Sequence, residues 1–271
     1  MDAQATVRSV IDGVSENNVT FLAASIAYYA FFSVVPLLLL TLSIGSLVGG
    51  EAFAERIVSL VGEQLSSSGE SLVSSALENP DGRTGASAVG LVGLAWSAIK
   101  VFRAVDTSFD RIYVSDVMTS LVRQIRNGLT VLVLVGLGIV VMIGVGTFIR
   151  RATIVGPLFV DVFGLVALLV GLMIVFLPLY YVMPPKAMTV RKALPGTVVA
   201  AIGWIGLQIG FQIYTTYAAS FEAYGILGGV LLFLTWLYFG AILLLLGAVV
   251  NAVVADDMTE TVEAETTAPA E

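Results

Sequence analysis

The sequence contains no cysteine and no histidine, and only 12% of its 271 residues are charged. Without cysteine there can be no disulfide, no thiol nucleophile and no zinc–thiolate site. Without histidine the chain lacks the most common general base and the most common metal ligand. Soluble proteins average about 25% charged residues, so this composition excludes most soluble enzymes and any exposed nucleic-acid-binding module. We therefore expect no enzymatic activity, no cofactor, no metal site and no nucleic-acid partner.

Apolar residues dominate what is present: 58% of the chain is hydrophobic, and its mean hydropathy is +0.96. A helix needs about 20 mostly apolar residues to cross a bilayer. Six stretches meet this requirement, at 21–48, 86–102, 129–149, 158–183, 193–214 and 226–254. The runs are continuous and do not alternate with period two, which favours helices over a membrane barrel. The sequence thus predicts an all-α polytopic membrane protein with six transmembrane helices and short amphipathic interfacial helices.

The distribution of basic residues predicts the orientation of these spans. Six spans place both termini on one side of the membrane. Nine lysines and arginines fall in the segments on that side, against four on the other side. The positive-inside rule therefore predicts cytoplasmic N- and C-termini in the cytoplasmic (plasma) membrane. The first apolar run covers 28 residues, which is too long for the core of a cleaved signal, so we expect a permanent span.

Two amphipathic segments precede and follow the first span. Residues 1–20 carry Val7, Val10, Ile11 and Val14 at helical spacing, typical of a cytoplasmic helix at the membrane surface. The alternative is that they simply begin the first span. The external connection 49–85 has two apolar stripes separated by a serine-rich turn, which predicts two short helices. They could cap an outward-facing opening, but a solvated helix pair is favoured.

The later connections differ in charge. The connection 103–128 has the pattern of a basic amphipathic helix, which would meet anionic lipid headgroups. The tail 256–271 holds six acidic residues and no basic residue, which predicts a disordered cytoplasmic segment. The acidic tail, together with three lysines against ten arginines, suggests a high-salt environment.

The first span carries the densest polar patch within the predicted membrane region, formed by Tyr28, Tyr29 and Ser33. Pro36 lacks an N–H group and should kink this helix, and Pro178 should bend the fourth span in the same way. The hydroxyl groups could line a substrate path, or they could form hydrogen bonds between helices at a structural kink. Both interpretations fit the sequence equally well.

Two further patterns lie in the last two spans. Gln208 and Gln212 are one helical turn apart on the fifth span, where they could bond a neighbouring helix or extend the polar pathway. Gly225 and Gly229 have the G-x-x-x-G spacing that permits close helix packing. Faces rich in glycine would also allow a homo-oligomer.

The charged residues near the end of the second span form an interfacial cluster of Lys100, Arg103, Asp106, Asp110 and Arg111. Asp106 and Asp110 are neighbours at i,i+4 and could hold a divalent cation. The favoured interpretation is an interfacial helix end whose charges pair with one another and extend towards water.

Three blocks of sequence are similar to a known family. They are LAASIAYYAFFSVVPLLLL at 22–40, GLAWSAIKVFRAVDTSFDRIY at 93–113, and a third block over 181–252 that includes ALPG and LLGAVVNA. In this order they resemble the YihY/BrkB family of integral membrane proteins, formerly labelled ribonuclease BN. The resemblance covers about residues 20–255 and implies six spans in the cytoplasmic membrane, without implying a settled activity.

The chain departs from the family pattern at three positions. Lys100 replaces a small residue, Asp110 replaces asparagine, and Val249 stands where many members have glutamate. The last difference excludes a mechanism based on an intramembrane carboxylate at that position. The former ribonuclease label also fits poorly, because RNA hydrolysis needs a basic surface and acid–base or metal groups, whereas this chain has a net charge of −7.

The leading functional hypothesis is transport or export of a small molecule, or lipid handling, with membrane lipids as partners. It rests on the kinked spans and the polar face at Tyr28, Tyr29, Ser33 and Gln208. No nucleotide-binding loop is present, and buried carboxylates of the kind used in proton relays are nearly absent. The alternative hypothesis is a non-catalytic membrane scaffold or envelope-organising protein.

Overall fold

A computed structural model describes residues 3–34, 36–37, 80–113, 121–151, 157–218 and 225–267. Over these residues the regular structure is entirely helical, as predicted from the continuous apolar runs. It consists of seven helices: α1 (Ala3–Glu16), α2 (Val19–Val34), α3 (Pro80–Ile112), α4 (Leu121–Arg151), α5 (Pro157–Val182), α6 (Val190–Ala218) and α7 (Gly225–Thr267).

Within the described residues, four helices contain segments long and apolar enough to cross a membrane. They are Arg126–Gly144 in α4, Gly164–Val182 in α5, Val190–Tyr214 in α6 and Gly228–Ala255 in α7. These segments overlap the predicted third to sixth spans. The predicted first span begins on α2, a shorter apolar helix, and its residues 38–48 lie outside the described residues. The predicted second span lies within the longer helix α3.

Local sequence explains several helix ends. α3 begins at Pro80, where a proline is tolerated because the first N–H groups of a helix have no partner within it. Residues 80–85 of the predicted external loop 49–85 therefore belong to α3, while residues 49–79 lie outside the described residues. Thr189 caps α6, since its Oγ1 accepts a hydrogen bond of 3.4 Å from the N–H of Lys192. α5 ends at Val182, directly before the predicted stop at residues 183–186.

The C-terminal tail differs from the expectation of disorder over residues 256–271. The structure continues α7 to Thr267. Residues 256–267 contain no glycine or proline, so no residue of this segment interrupts the helix that continues from Ala255. The helix ends two residues before Pro269, consistent with the constraint that a proline places on the residue before it. Residues 268–271 lie outside the described residues.

The chain divides into two compact units. Unit one comprises Met1–Ser25, Arg103–Ser220 and Tyr238–Glu271. Unit two comprises Ile26–Phe102 and Phe221–Leu237. Unit one therefore contains α1, α4, α5 and α6 together with the first part of α2 and the later parts of α3 and α7, and it holds most of the buried core.

Small residues set the distance between helices in unit one. On α4, Gly138 lies against Ile174 and Val175 of α5, and on α5, Gly171 lies against Met142 of α4. The same arrangement joins α6 to α7, where Gly203 lies against the side chain of Leu243. Such pairing of a small residue with a large one is how helices pack in lipid, where no hydrophobic force drives them together.

Helix α1 packs on α7 and then turns sharply into α2. A β-carbon at Gly13 would lie 3.1 Å from Cγ1 of Val249, so α1 at this point packs directly on the Val249 side chain. After α1 ends at Glu16, Asn18 adopts a left-handed conformation with φ of 52°, which asparagine tolerates better than most residues. The carbonyl of Asn18 then accepts hydrogen bonds from the N–H groups of Phe21 and Leu22, which starts α2.

Unit two is held by aromatic contacts. The ring centroids of Phe31 on α2 and Phe233 on α7 are 6.2 Å apart, and Phe233 stacks on Trp236 at the same distance. Gly93 of α3 lies against the ring of Pro36. The predicted kink residue Pro36 thus contributes to packing between segments of this unit.

Candidate functional site

A buried amide joins α6 to α7 at one end of unit one. The side chain of Asn251 on α7 is fully buried. Its Oδ1 accepts a hydrogen bond of 2.6 Å from the N–H of Gly196, and its Nδ2 donates one of 3.1 Å to the carbonyl of Ala193. An amide without partners is costly to bury, so both bonds are needed to hold Asn251 in this place.

Asn251 bonds α6 on both sides of a proline. Pro195 lies inside α6 and has no N–H with which to bond the carbonyl of Arg191, one turn earlier. Asn251 bonds one backbone group on each side of this proline, at Ala193 and Gly196. The carbonyl of Ala193 also accepts a hydrogen bond of 2.7 Å from the buried hydroxyl of Thr197. A side chain from α7 is therefore bonded directly to the backbone of α6.

Two glycines let the helix backbones meet at this point. A β-carbon at Gly196 would collide with the carbonyl oxygen of Gly247 and with the side chain of Asn251. A β-carbon at Gly247 would collide with the hydroxyl of Tyr180 and lie 2.7 Å from the carbonyl oxygen of Gly196. Neither position can hold a larger residue unless the helices move apart.

Tyr180 brings α5 into the same contact. Its side chain is fully buried, and its hydroxyl donates a hydrogen bond of 2.8 Å to the carbonyl of Leu244 on α7. Its ring centroid is 6.1 Å from that of Phe109 on α3. We call Tyr180, Gly196, Gly247 and Asn251 the Asn251 cluster. The bonds of its two polar side chains run to the backbone of neighbouring helices, so the cluster fixes helix positions and offers no nucleophile or base.

None of the four residues of the Asn251 cluster is singled out by the sequence patterns described above. The signal was present, because Gly196 lies in the ALPG block and Gly247 and Asn251 lie in the LLGAVVNA block. The sequence alone does not show that these two blocks are in contact in the folded protein.

The predicted charge cluster lies on α3, but its members have different surroundings. Arg103 and Arg111 are exposed and Asp110 is half-buried. Lys100 is half-buried, and its Nζ lies 5.1 Å from the ring centroid of Trp96, a cation–π contact. Asp106 is 3% exposed, so its carboxylate belongs to the interior of unit one. Among the residues that the structure describes, no three acidic, histidine or cysteine side chains are grouped as a metal site.

The predicted polar pathway is divided between the two units. Tyr28, Tyr29 and Ser33 lie on α2 in unit two. Tyr28 is 54% exposed, and its ring contacts those of Tyr29 and Phe32 at centroid distances of 5.4 and 4.7 Å. The hydroxyl of Ser33 donates to the carbonyl of Ala30 in the same helix, at 2.6 Å. This face of α2 is therefore an aromatic patch with one exposed phenol.

The other half of the predicted pathway lies on α6 in unit one, where Gln208 and Gln212 are both exposed. Packing along α6 changes from one end to the other. Ala193, Gly196 and Ala200 are buried, whereas built β-carbons at Gly206 and Gly210 meet no described atom within 4 Å. The helix is thus tightly held at the Asn251 cluster and open around its two glutamines.

The remaining predicted residues concern helix shape and packing. Pro178 lies inside α5, which continues through it to Val182. α7 begins at Gly225. No described atom lies within 4 Å of a β-carbon built at Gly229. The close approach that the G-x-x-x-G spacing suggested is found elsewhere on α7, at Gly247.

Comparison with known proteins identifies relatives along nearly the whole chain. The family described as "Virulence factor BrkB" matches residues 10–271. A protein of Bacillus subtilis (strain 168), named as a ribonuclease-like protein, YfkH, is 29% identical over 246 residues, covering 85% of this chain and 88% of the relative.

Two further relatives are named as membrane proteins. The UPF0761 membrane protein of Alkalilimnicola ehrlichii is 29% identical over 83% of this chain, which spans about half of that relative (53%). The UPF0761 membrane protein of Coxiella burnetii (strain Dugway 5J108-111) is 24% identical over 90% of this chain and 91% of the relative. No solved structure shows significant similarity to the chain.

Proposed function

Because the chain belongs to the BrkB family of membrane proteins, we propose that it transports or exports a small molecule, or handles lipids, in the cytoplasmic membrane. The proposal includes six membrane spans, cytoplasmic termini, membrane lipids as partners and no enzymatic activity. Four of these spans would be the long apolar segments of α4 to α7. The first and second would be built on α2 and α3.

The observation that carries this proposal is the exposed position of Gln208, one helical turn from the exposed Gln212. Both lie within Val190–Tyr214, a segment apolar enough to cross a membrane. Polar side chains are costly at membrane depth, because hydrocarbon forms no hydrogen bonds with them. Polar side chains at membrane depth are therefore placed towards water-filled cavities or towards protein. A hydrated path along this face of α6 would meet that requirement.

The name of the Bacillus relative mentions ribonuclease, but the side chains and net charge of this protein do not favour that activity. A nuclease needs a surface that attracts phosphate and groups that transfer protons or bind metal. The chain has no histidine and a net charge of −7. The polar side chains of the Asn251 cluster bond to backbone groups of neighbouring helices.

The Asn251 cluster favours a second candidate function, that of a non-catalytic membrane scaffold or envelope-organising protein. The polar side chains of the cluster form hydrogen bonds that join α5, α6 and α7. The one titratable side chain among them, Tyr180, is engaged in such a bond. A scaffold requires rigid helices and no hydrated path. Water access to the glutamine face of α6 therefore distinguishes the two functions.

Cysteine labelling tests this difference directly, because the chain has no cysteine of its own. Q208C and Q212C would be treated in cells with a water-soluble maleimide that does not cross membranes. I209C and I213C are matched controls, since Ile209 and Ile213 are exposed on the same part of α6 and are apolar. We expect the glutamine positions to react much faster than the isoleucine positions. Equal protection of all four positions would favour the scaffold.

The substrate is to be sought by comparing a deletion strain with its complemented parent. Lipids and soluble metabolites would be measured by untargeted mass spectrometry. One compound class that accumulates in the deletion strain, and returns to normal on complementation, would name the molecule for flux assays in proteoliposomes. Unchanged compounds with a weakened envelope would favour the scaffold.

A further inference from the structure

Helix α1 packs against α7 along one edge and exposes apolar side chains along another. The covered edge includes Gly13, which lies against Val249 of α7. On the other edge, Val7 and Ile11 are 59% and 62% exposed. They lie one helical turn apart and therefore form a continuous strip. Phe21, just beyond the turn at Asn18, is 75% exposed.

The contact with α7 fixes the depth of this strip. Val249 is six residues before Ala255, the last residue of the apolar segment Gly228–Ala255. At a rise of 1.5 Å per residue, it lies about 9 Å along α7 from the end of that segment. Asp256 and Asp257 follow immediately, and two successive carboxylates are costly to place in hydrocarbon. Helix α1 therefore packs beside the last apolar turns of a candidate span, at a level where hydrocarbon begins.

The charges of α1 indicate how it is held there. Arg8 stands against Asp12 and Glu16, all three of them exposed. The helix thus carries no excess of positive charge that anionic headgroups would attract. Attachment must come from the apolar strip, because binding of an interfacial helix depends on buried apolar area and on charge attraction.

We propose that α1 lies in the boundary between headgroups and acyl chains, with Val7, Ile11 and Phe21 inserted among the acyl chains. The occupant of the exposed strip is the bilayer itself. The attachment is hydrophobic and does not depend on anionic lipid. This inference requires only that the chain is a membrane protein and is independent of the transport hypothesis.

Spin labels in the full-length chain test the proposal. Single cysteines would be introduced by V7C and I11C on the strip and by D12C and E16C on the charged side, and labelled with a nitroxide. The protein would be reconstituted in zwitterionic vesicles, with and without anionic lipid. Collision with oxygen, which concentrates in acyl chains, would be compared with collision with a water-soluble nickel chelate.

We expect oxygen to dominate at positions 7 and 11 and the chelate to dominate at positions 12 and 16, by several-fold in each case. Neither anionic lipid nor high salt should change these ratios. Equal chelate collision at positions 7 and 12 would overturn the proposal by placing the strip in water. Protection of positions 7 and 11 from both reagents would overturn it by showing a protein cover. Oxygen dominance that appears only with anionic lipid would show that charge holds the helix.

Discussion

Asn251 accepts a hydrogen bond of 2.6 Å from the backbone N–H of Gly196 and returns one from its Nδ2 to the carbonyl of Ala193. One side chain thus bridges two backbone groups of another helix across the proline that separates them. Both Asn251 and Gly196 are buried, so water cannot replace either bond. The strength of the α6–α7 contact should therefore be sensitive to small changes at these positions.

Replacing Asn251 by alanine should destabilise the protein by about 1–3 kcal/mol, because a buried N–H and a buried carbonyl each lose a partner. The expected result is a lower midpoint of thermal unfolding in detergent. N127A is the matched control, since the half-buried Asn127 makes one longer bond of 3.5 Å to the carbonyl of Val182. A loss at N251A no greater than that at N127A would show that the bridge contributes little.

Replacing Gly247 or Gly196 by alanine should be harmful, because the added carbon meets backbone or hydroxyl oxygens that cannot yield easily. Overpacking of this kind costs about 1–3 kcal/mol. G206A is the control on α6, where the same carbon meets no described atom and alanine should improve helix stability by up to about 1 kcal/mol. Thermal unfolding of the three variants checks the order, and a harmless G247A would contradict the close approach.

Removing the hydroxyl of Tyr180 by Y180F should cost about 0.5–1.5 kcal/mol, the net contribution of one hydrogen bond. The ring and its contact with Phe109 remain, so the loss should be smaller than for N251A. Y181F provides the control, because the neighbouring Tyr181 is about half exposed. Comparable unfolding midpoints for the two phenylalanine variants would show that the bond to Leu244 is not important for stability.

The proposed topology predicts where a C-terminal fusion will be. With six spans and both termini in the cytoplasm, fused green fluorescent protein should fluoresce. Fused alkaline phosphatase should be inactive, because its disulfides form only outside the cytoplasm. The opposite pair of results would mean an odd number of spans or the reverse orientation.

Sequence patterns indicated α4 to α7 because each of these helices contains a continuous apolar run, which is recognised from neighbouring residues alone. α5 ended where Met183 and Pro184 predicted, and the apolar segments of α4 to α7 matched four predicted spans. The structure of the C-terminal tail was harder to predict. Its acidic composition suggested disorder, whereas the structure continues α7 beyond Ala255. Amino-acid composition is a better guide to the solubility of a segment than to the residue at which a helix ends.

The Asn251 cluster could not be predicted in the same way. Whether an asparagine near a span end faces lipid, water or another helix depends on its partner, and Gly196 is 55 residues away in the chain. Asp106 shows the same limit: its sequence neighbours Arg103 and Asp110 indicated an interface, yet its side chain is buried. The family pattern identified the two sequence blocks that contain Gly196 and Asn251, but it did not show that these blocks are in contact.

The bridge made by Asn251 also limits how this part of the molecule can move. Its side chain bonds the backbone of α6 on both sides of Pro195. At this end, α6 can neither slide along α7 nor rotate against it without breaking both bonds. Further along α6, no described atom lies within 4 Å of a β-carbon built at Gly206 or Gly210. A tilt of α6 against the bonded part of α7 would therefore pivot at Asn251.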